Sequence, residues 1–194
     1  MQFSTVFHDY TAASVNWLVS QYGIPKTVIE IGVFEGHTTF NMTAMLAQQY
    51  KDYKHYAIDP HEDSDDIEEE VVAKAGKTFR ANLEEFDLKD HIEYIPEYSW
   101  NGLMDLYKRG VKADLIYIDG DHRAATVMED LVLAFKLIDK GGIILCDDCV
   151  AWYNEKLQNT PKLAVDAFIH CYWDKIDILR LPHGCQIAFV KKCN

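Results

Sequence analysis

Two short apolar runs, each ending abruptly in acids, constrain this chain more than any other feature in it. Asp114-Leu-Ile-Tyr-Ile-Asp-Gly-Asp-His122 and Gly141-Gly-Ile-Ile-Leu-Cys-Asp-Asp148 read as strands buried on both faces of a parallel sheet. Between them Ala124, Val127, Met128, Leu131, Ala134, Phe135 and Ile138 recur at the spacing of one buried helix face. A strand–helix–strand unit makes the two strands parallel, so both acidic ends emerge at one sheet edge. As neighbours, about 5 Å apart, they bring Asp119, Asp147 and Asp148 into one small volume. Three carboxylates in such a space require a cation or protons to hold them together.

The 194 residues, 48% of them apolar, suffice for one domain with a full core. There is no internal repeat and no Pro- or Gly-rich linker, so residues 1–194 read as a single domain, with 1–25 as an N-terminal helical cap. A formal charge of −12 without a basic stripe argues against a nucleic-acid partner. Five scattered cysteines make a disulfide framework improbable and point to a reducing, cytoplasmic setting. Cys146-Asp-Asp-Cys149 has no second Cys or His pair at ligand spacing, which weighs against zinc. Met1 to Tyr10 lacks the pattern of a signal peptide. No run approaches the roughly 18 apolar residues of a membrane span. The expected partner is a small molecule, with neither membrane nor nucleic acid involved. Oligomeric state stays open, a homodimer included.

In chain order, residues 9–22 carry Ala12, Val15, Leu18 and Val19 at helical spacing, stopped by Gly23 and Pro25. Such a helix either covers a site mouth or packs on the sheet. Thr27–Ile31 is a first buried strand, followed by Gly32-Val-Phe-Glu-Gly36 and a helix from about Thr38 to Gln49. Strand, glycine turn and helix open a nucleotide-binding α/β domain. The dinucleotide pattern Gly-x-Gly-x-x-Gly is missing its middle glycine, and Glu30 and Glu35 would repel a pyrophosphate while suiting a ligand with an ammonium and a sulfonium. Tyr56-Ala-Ile-Asp59 ends in an acid, where such domains take a ribose diol. His61 to Glu70 is strongly acidic and reads as a solvated helix start, with a helix over 67–86. His91–Ile95 is a third strand, and Ser99 is a candidate N-cap of the helix that follows, close to where an adenine edge would lie. Thr160-Pro161 opens a later helix. Lys175–Leu181 and Cys185–Val190, linked by Pro182-His-Gly184, form a terminal hairpin. The resulting architecture is α/β: a Rossmann-like, doubly wound sheet of seven strands, six parallel and one reversed, with an antiparallel C-terminal edge hairpin.

Along nearly its whole length the chain resembles a class I S-adenosylmethionine-dependent methyltransferase. The resemblance rests on Glu30-Ile-Gly-Val-Phe-Glu-Gly36, Ala57-Ile-Asp59, Ile118-Asp-Gly-Asp-His122, Lys140–Asp148 and the hairpin. Within that fold it is most similar to the small cation-dependent O-methyltransferases of the catechol and caffeoyl-CoA type, and to macrocin-type sugar O-methyltransferases. The resemblance implies S-adenosyl-L-methionine as cofactor. Glu30, Gly32, Glu35 and Gly36 would lie at its methionine end, Asp59 at the ribose, and Ser99 and Asp119 beside it. It implies Mg²⁺, or Mn²⁺ or Ca²⁺, on Asp119, Asp147 and Asp148, and a general base three residues after the first of these ligands. That position holds His122 where catechol-type enzymes have Lys, which favours a sugar or other aliphatic alcohol slightly over a phenol.

Oxygen-only ligands do select hard divalent ions, and an imidazole titrates near neutrality and can accept a hydroxyl proton. Other readings remain open on the residues alone. His122 would serve equally as a helix-start residue bonded to Asp121 or Asp119, and the acids could be structural in a metal-independent methyltransferase. The rival functions are a non-catalytic cofactor-binding protein and a nicotinamide oxidoreductase, the latter disfavoured by the acidic first loop. Trp152 and Tyr153 are candidates to line an acceptor pocket.

Overall fold

The computed structural model describes residues 1, 3, 9–62, 67–149, 156–182 and 184–193. Trp152 and Tyr153, and part of the acidic run after His61, fall outside these. Seven strands form one sheet in the order β3-β2-β1-β4-β5-β7-β6: β1 Thr27–Ile31, β2 Lys54–Ile58, β3 Ile92–Ile95, β4 Ala113–Ile118, β5 Ile138–Cys146, β6 Ile176–Leu179 and β7 Ile187–Lys191. Among the described residues six α-helices flank the sheet: α1 Asp9–Tyr22, α2 His37–Gln49, α3 Glu69–Glu85, α4 Ser99–Lys108, α5 Ala124–Leu137 and α6 Pro161–Tyr172.

The five strands from β3 to β5 pair in parallel. Their near-continuous apolar sequence follows from burial on both faces. Leu115 and Tyr117 of β4 pack with Val15 and Leu18 of α1 and with Met42 and Leu46 of α2. Ile116 and Ile118, on the opposite face, pack with Leu103 of α4, Leu131 and Phe135 of α5, and Phe168 of α6. A third cluster seats Phe79 of α3 against Ala57, Phe40 and Ile92. The two-residue period of the strands thus sorts side chains into two layers of helices.

Three details differ from the sequence reading. The terminal hairpin forms the sheet edge, but its reversed strand, β7, lies between β5 and β6, and the link spans residues 180–186. The more apolar β7 takes the inner slot, whereas β6, with Asp177 and Ile178 exposed, suits an edge. Ser99 is not an N-cap: Tyr98 holds that position and Ser99 is the first residue of α4. Strand β5 begins at Ile138 rather than Gly141, with a register irregularity opposite Ala113–Leu115. All five cysteines are free, Cys146 and Cys149 being buried. No helix among the described residues is long and apolar enough to cross a membrane.

Candidate active site

The strand order reverses direction between β1 and β4, and in open α/β sheets ligands bind at the carboxyl ends of the strands beside such a reversal. Ladder bonds continue past the strand ends here and fix the backbone of each candidate residue. Gly32 N donates to Ile58 O at 3.0 Å, Asp59 N to Ile95 O at 3.2 Å, Asp119 N to Ile31 O at 2.8 Å and Asp147 N to Ile118 O at 2.9 Å. Gly32, with φ of +82°, lies so close to β4 that a Cβ there would stand 2.0 Å from the Asp119 carbonyl oxygen. No other residue fits between the first loop and the fourth strand. Gly36, also left-handed, is the N-cap of α2.

The acids of β4 and β5 do converge. Ligand atoms of Asp119, His122 and Asp148 all lie within 4.8 Å of one another, and His122 Nε2 is 3.3 Å from Asp148 Oδ2. Asp148 has a left-handed φ of 51°. Asp147 faces another way. Its Oδ2 accepts from Tyr117 Oη at 2.5 Å, Gln186 Nε2 at 2.7 Å and Thr11 Oγ1 at 3.2 Å, and its Oδ1 accepts from the Asp148 amide at 2.8 Å. Tyr117 Oη is also 2.8 Å from Asp119 Oδ2, so one phenolic hydrogen serves two carboxylates. Burial first, and then the charge of Asp147, push the Asp119 pKa well above the usual carboxylate range. Burial and the same two acids push the Tyr117 phenol up, so it stays a neutral donor. Asp121 takes no part in the cluster. It accepts from the Arg123 amide at 2.7 Å, from Arg123 Nε at 2.6 Å and from Thr126 Oγ1 at 3.0 Å, at the start of α5. Burial opposes its charge, but these Arg123 and Thr126 bonds hold its pKa low.

The first-loop residues are placed unequally. Glu30, 1% exposed, accepts from Thr39 Oγ1 at 2.6 Å and lies 3.0 Å from the buried His55 Nε2. Its carboxylate faces inward between β1, β2 and α2, not toward the open sheet edge. Glu35 is buried as well, and its carbonyl faces Asn82. Asp59 grips the loop: its Oδ2 accepts from the amides of Val33 at 2.7 Å and Phe34 at 2.9 Å, and its Oδ1 from the amide of His61 at 2.7 Å. Ser99 faces the buried Asp130 of α5, whose pKa burial pushes up to about 7 while Ser99 acts against the shift.

The methyltransferase-domain family profile matches residues 29–149, more than half of the chain, from β1 through the acidic end of β5. The chain belongs to this methyltransferase family. Solved structures that share this fold include three O-methyltransferases. An O-methyltransferase from Bacillus cereus in complex with SAH has a TM-score of 0.73 at 18% identity, over 97% of this chain and 84% of that one. The O-methyltransferase TomG from Streptomyces achromogenes, in complex with SAM, has a TM-score of 0.69 at 13% identity, over 94% and 80%. The O-methyltransferase NovP has 0.67 at 16% identity, over 93% and 77%. Among curated sequences, the uncharacterized protein R132 of Acanthamoeba polyphaga mimivirus is 28% identical over 147 residues, 72% of this chain. The chain spans 60% of the length of that relative.

Sequence reasoning missed the polar floor beneath the acidic cluster: Thr11, Tyr117 and Gln186. Tyr117 carried a usable signal. It stands two residues before Asp119 in a strand, so alternation places both on one face. Thr11 and Gln186 carried none, because α1 and β7 reach the site only through tertiary packing.

Proposed function

We propose that this methyltransferase-family chain transfers a methyl group from S-adenosylmethionine to an oxygen of a small hydroxylated acceptor, a sugar or a phenol, with a divalent cation at Asp119 and Asp148. The observation that carries the reading is the close approach of Gly32 to Asp119, which sets the first loop directly beside the acidic cluster. The cofactor supplies an electrophilic methyl group, and the protein supplies position and electrostatics.

The chain's residues fit those roles. The first loop lies against Asp119 and is gripped by Asp59, and acids beside it favour a cationic cofactor over a pyrophosphate. Asp119 and Asp148, with His122 in reach, offer the hard donors that suit Mg²⁺, Mn²⁺ or Ca²⁺. A bound divalent ion contributes Lewis acidity that lowers the pKa of an acceptor hydroxyl. The upward push on Asp119 from burial and from Asp147 is the charge crowding that such an ion would relieve. Asp147, with four donors already on its carboxylate, holds Tyr117, Thr11 and Gln186 in place instead of offering a free ligand oxygen. His122 is the proton acceptor, set against Asp148 on the working side of the cluster.

The test is calorimetry with S-adenosylhomocysteine and with Mn²⁺, followed by transfer assays on sugar and phenol panels with and without chelator. Binding of the nucleoside product and chelator-sensitive turnover are expected. Binding of NAD in its place would sink the methyltransferase reading, and full turnover in excess chelator would remove the cation. His122→Ala should lower the maximal rate by roughly 10²–10⁴ while leaving cofactor affinity unchanged. If it abolishes Mn²⁺ binding instead, His122 is the third ligand and not the base.

A further inference from the structure

His61 lies beyond the acidic cluster, on the far side of the first loop, and no part of the site described above uses its side chain. The ring is buried: Nε2 stands 2.6 Å from the Phe34 carbonyl oxygen and 3.7 Å from Asp59 Oδ2, and Nδ1 2.8 Å from Tyr94 Oη. A carbonyl only accepts, so Nε2 carries the hydrogen. Tyr94 Oη also lies 3.0 Å from the Asp59 carbonyl oxygen. Phe34 and His61 both have a left-handed φ of 51°, a conformation that non-glycine residues adopt at a cost of about 1–2 kcal/mol. Both are held there from two sides. The Phe34 amide donates to Asp59 Oδ2 while its carbonyl accepts from His61, and the His61 amide donates to Asp59 Oδ1. The three residues thus close a ring of hydrogen bonds around the first loop. Helix α3 seals the ring from behind: a Cβ on Gly76 would stand 2.7 Å from the His61 Cβ, and the imidazole stacks on Phe79 with ring centroids 5.6 Å apart.

We propose that His61 is a positioning residue for cofactor binding, one whose Nε2–H staples the Phe34 carbonyl and so sets the backbone of loop 32–36 in its ligand-ready shape. This rests on the S-adenosylmethionine reading above. The staple acts on the backbone of the loop that Gly32 sets beside Asp119, and His61 touches no reacting atom, so its removal raises the entropy of the free loop and weakens binding without altering the transfer chemistry.

Two substitutions separate the hydrogen bond from the backbone conformation. His61→Asn suits a left-handed φ better than most residues, yet its short amide falls short of the Phe34 carbonyl. His61→Gln places an amide nitrogen where Nε2 stands. Calorimetry with S-adenosylhomocysteine should show the Asn variant at least about tenfold weaker than wild type, a loss in the range of one hydrogen bond, and the Gln variant within about threefold. Amide exchange of Val33 and Phe34 in the ligand-free protein should be faster in the Asn variant and unchanged in the Gln variant. An Asn variant that binds as well as wild type, or a Gln variant as weak as Asn, overturns the proposal. If wild type binds no S-adenosylhomocysteine, the functional reading fails, and the exchange measurement still decides the staple: equal protection of Val33 and Phe34 in all three proteins overturns it.

Discussion

Tyr117 donates its phenolic hydrogen toward Asp147 across 2.5 Å, inside a sheet where its side chain is only 1% exposed. The contact joins the fourth strand to the fifth beneath the acidic cluster. Thr11 Oγ1, 3.1 Å from the same phenol, ties the leading helix into it. Helix α1 therefore packs on the sheet along Val15 and Leu18, and its first turn also touches the acids.

Tyr117→Phe keeps the buried ring and leaves Asp119 and Asp147 facing each other without the shared donor. We expect a loss of unfolding free energy of about 1–3 kcal/mol at neutral pH, the cost of a buried polar group deprived of its partner. Urea denaturation with an unchanged m-value measures it. Stability equal to wild type would mean that water fills the gap and the phenol is dispensable.

Asp59 grips the first loop through the amides of Val33 and Phe34. Asp59→Ala should therefore cost about 2–4 kcal/mol of stability in the ligand-free protein, since the amides of Val33, Phe34 and His61 lose a charged acceptor, and should also weaken nucleoside binding. A carboxylate that only waited for a ribose would leave ligand-free stability untouched, so a thermal melt distinguishes the two roles.

Asp130 gives the protein a predictable pH dependence. Burial raises its folded-state pKa to about 7, whereas an unfolded carboxyl titrates at about 3.9. The folded chain thus holds a proton that the unfolded chain releases. The stability this contributes is fully present below about pH 4 and is lost as the pH rises through about 7. Asp130→Asn, similar in shape and without the charge, should be more stable than wild type at pH 8 by on the order of 4 kcal/mol. The difference should vanish near pH 4. Parallel stability-against-pH curves for the two proteins would remove this assignment.

Gly32→Ala adds one methyl where 2.0 Å separates it from the Asp119 carbonyl oxygen, at a φ of +82°. Conformational strain and overlap together should cost about 2–4 kcal/mol and part the loop from β4, with nucleoside affinity falling as well. Crystallography of the variant, or its melting temperature if crystals fail, reads the outcome. A variant as stable as wild type would show that the two segments can move apart freely.

The primary sequence by itself determined the layered α/β fold, the parallel βαβ unit and the acids at one sheet edge. Each follows from local signals: a period of two or 3.6, a glycine stop, a proline start, and a charge that ends an apolar run. Gly32, Asp59, Asp119 and Asp148 were legible because a strand end is itself a position in the fold. Only the tertiary structure decided what each carboxylate touches. Glu30 turns inward to His55 and Thr39, Asp147 is enclosed by Tyr117, Gln186 and Thr11, and His122 meets Asp148 instead of Asp121. Those pairings join residues as far apart in the chain as Thr11 and Gln186. A side chain's partner across the sheet depends on which strands become neighbours and on which rotamer the packing leaves open, and neither is encoded within any local window of sequence.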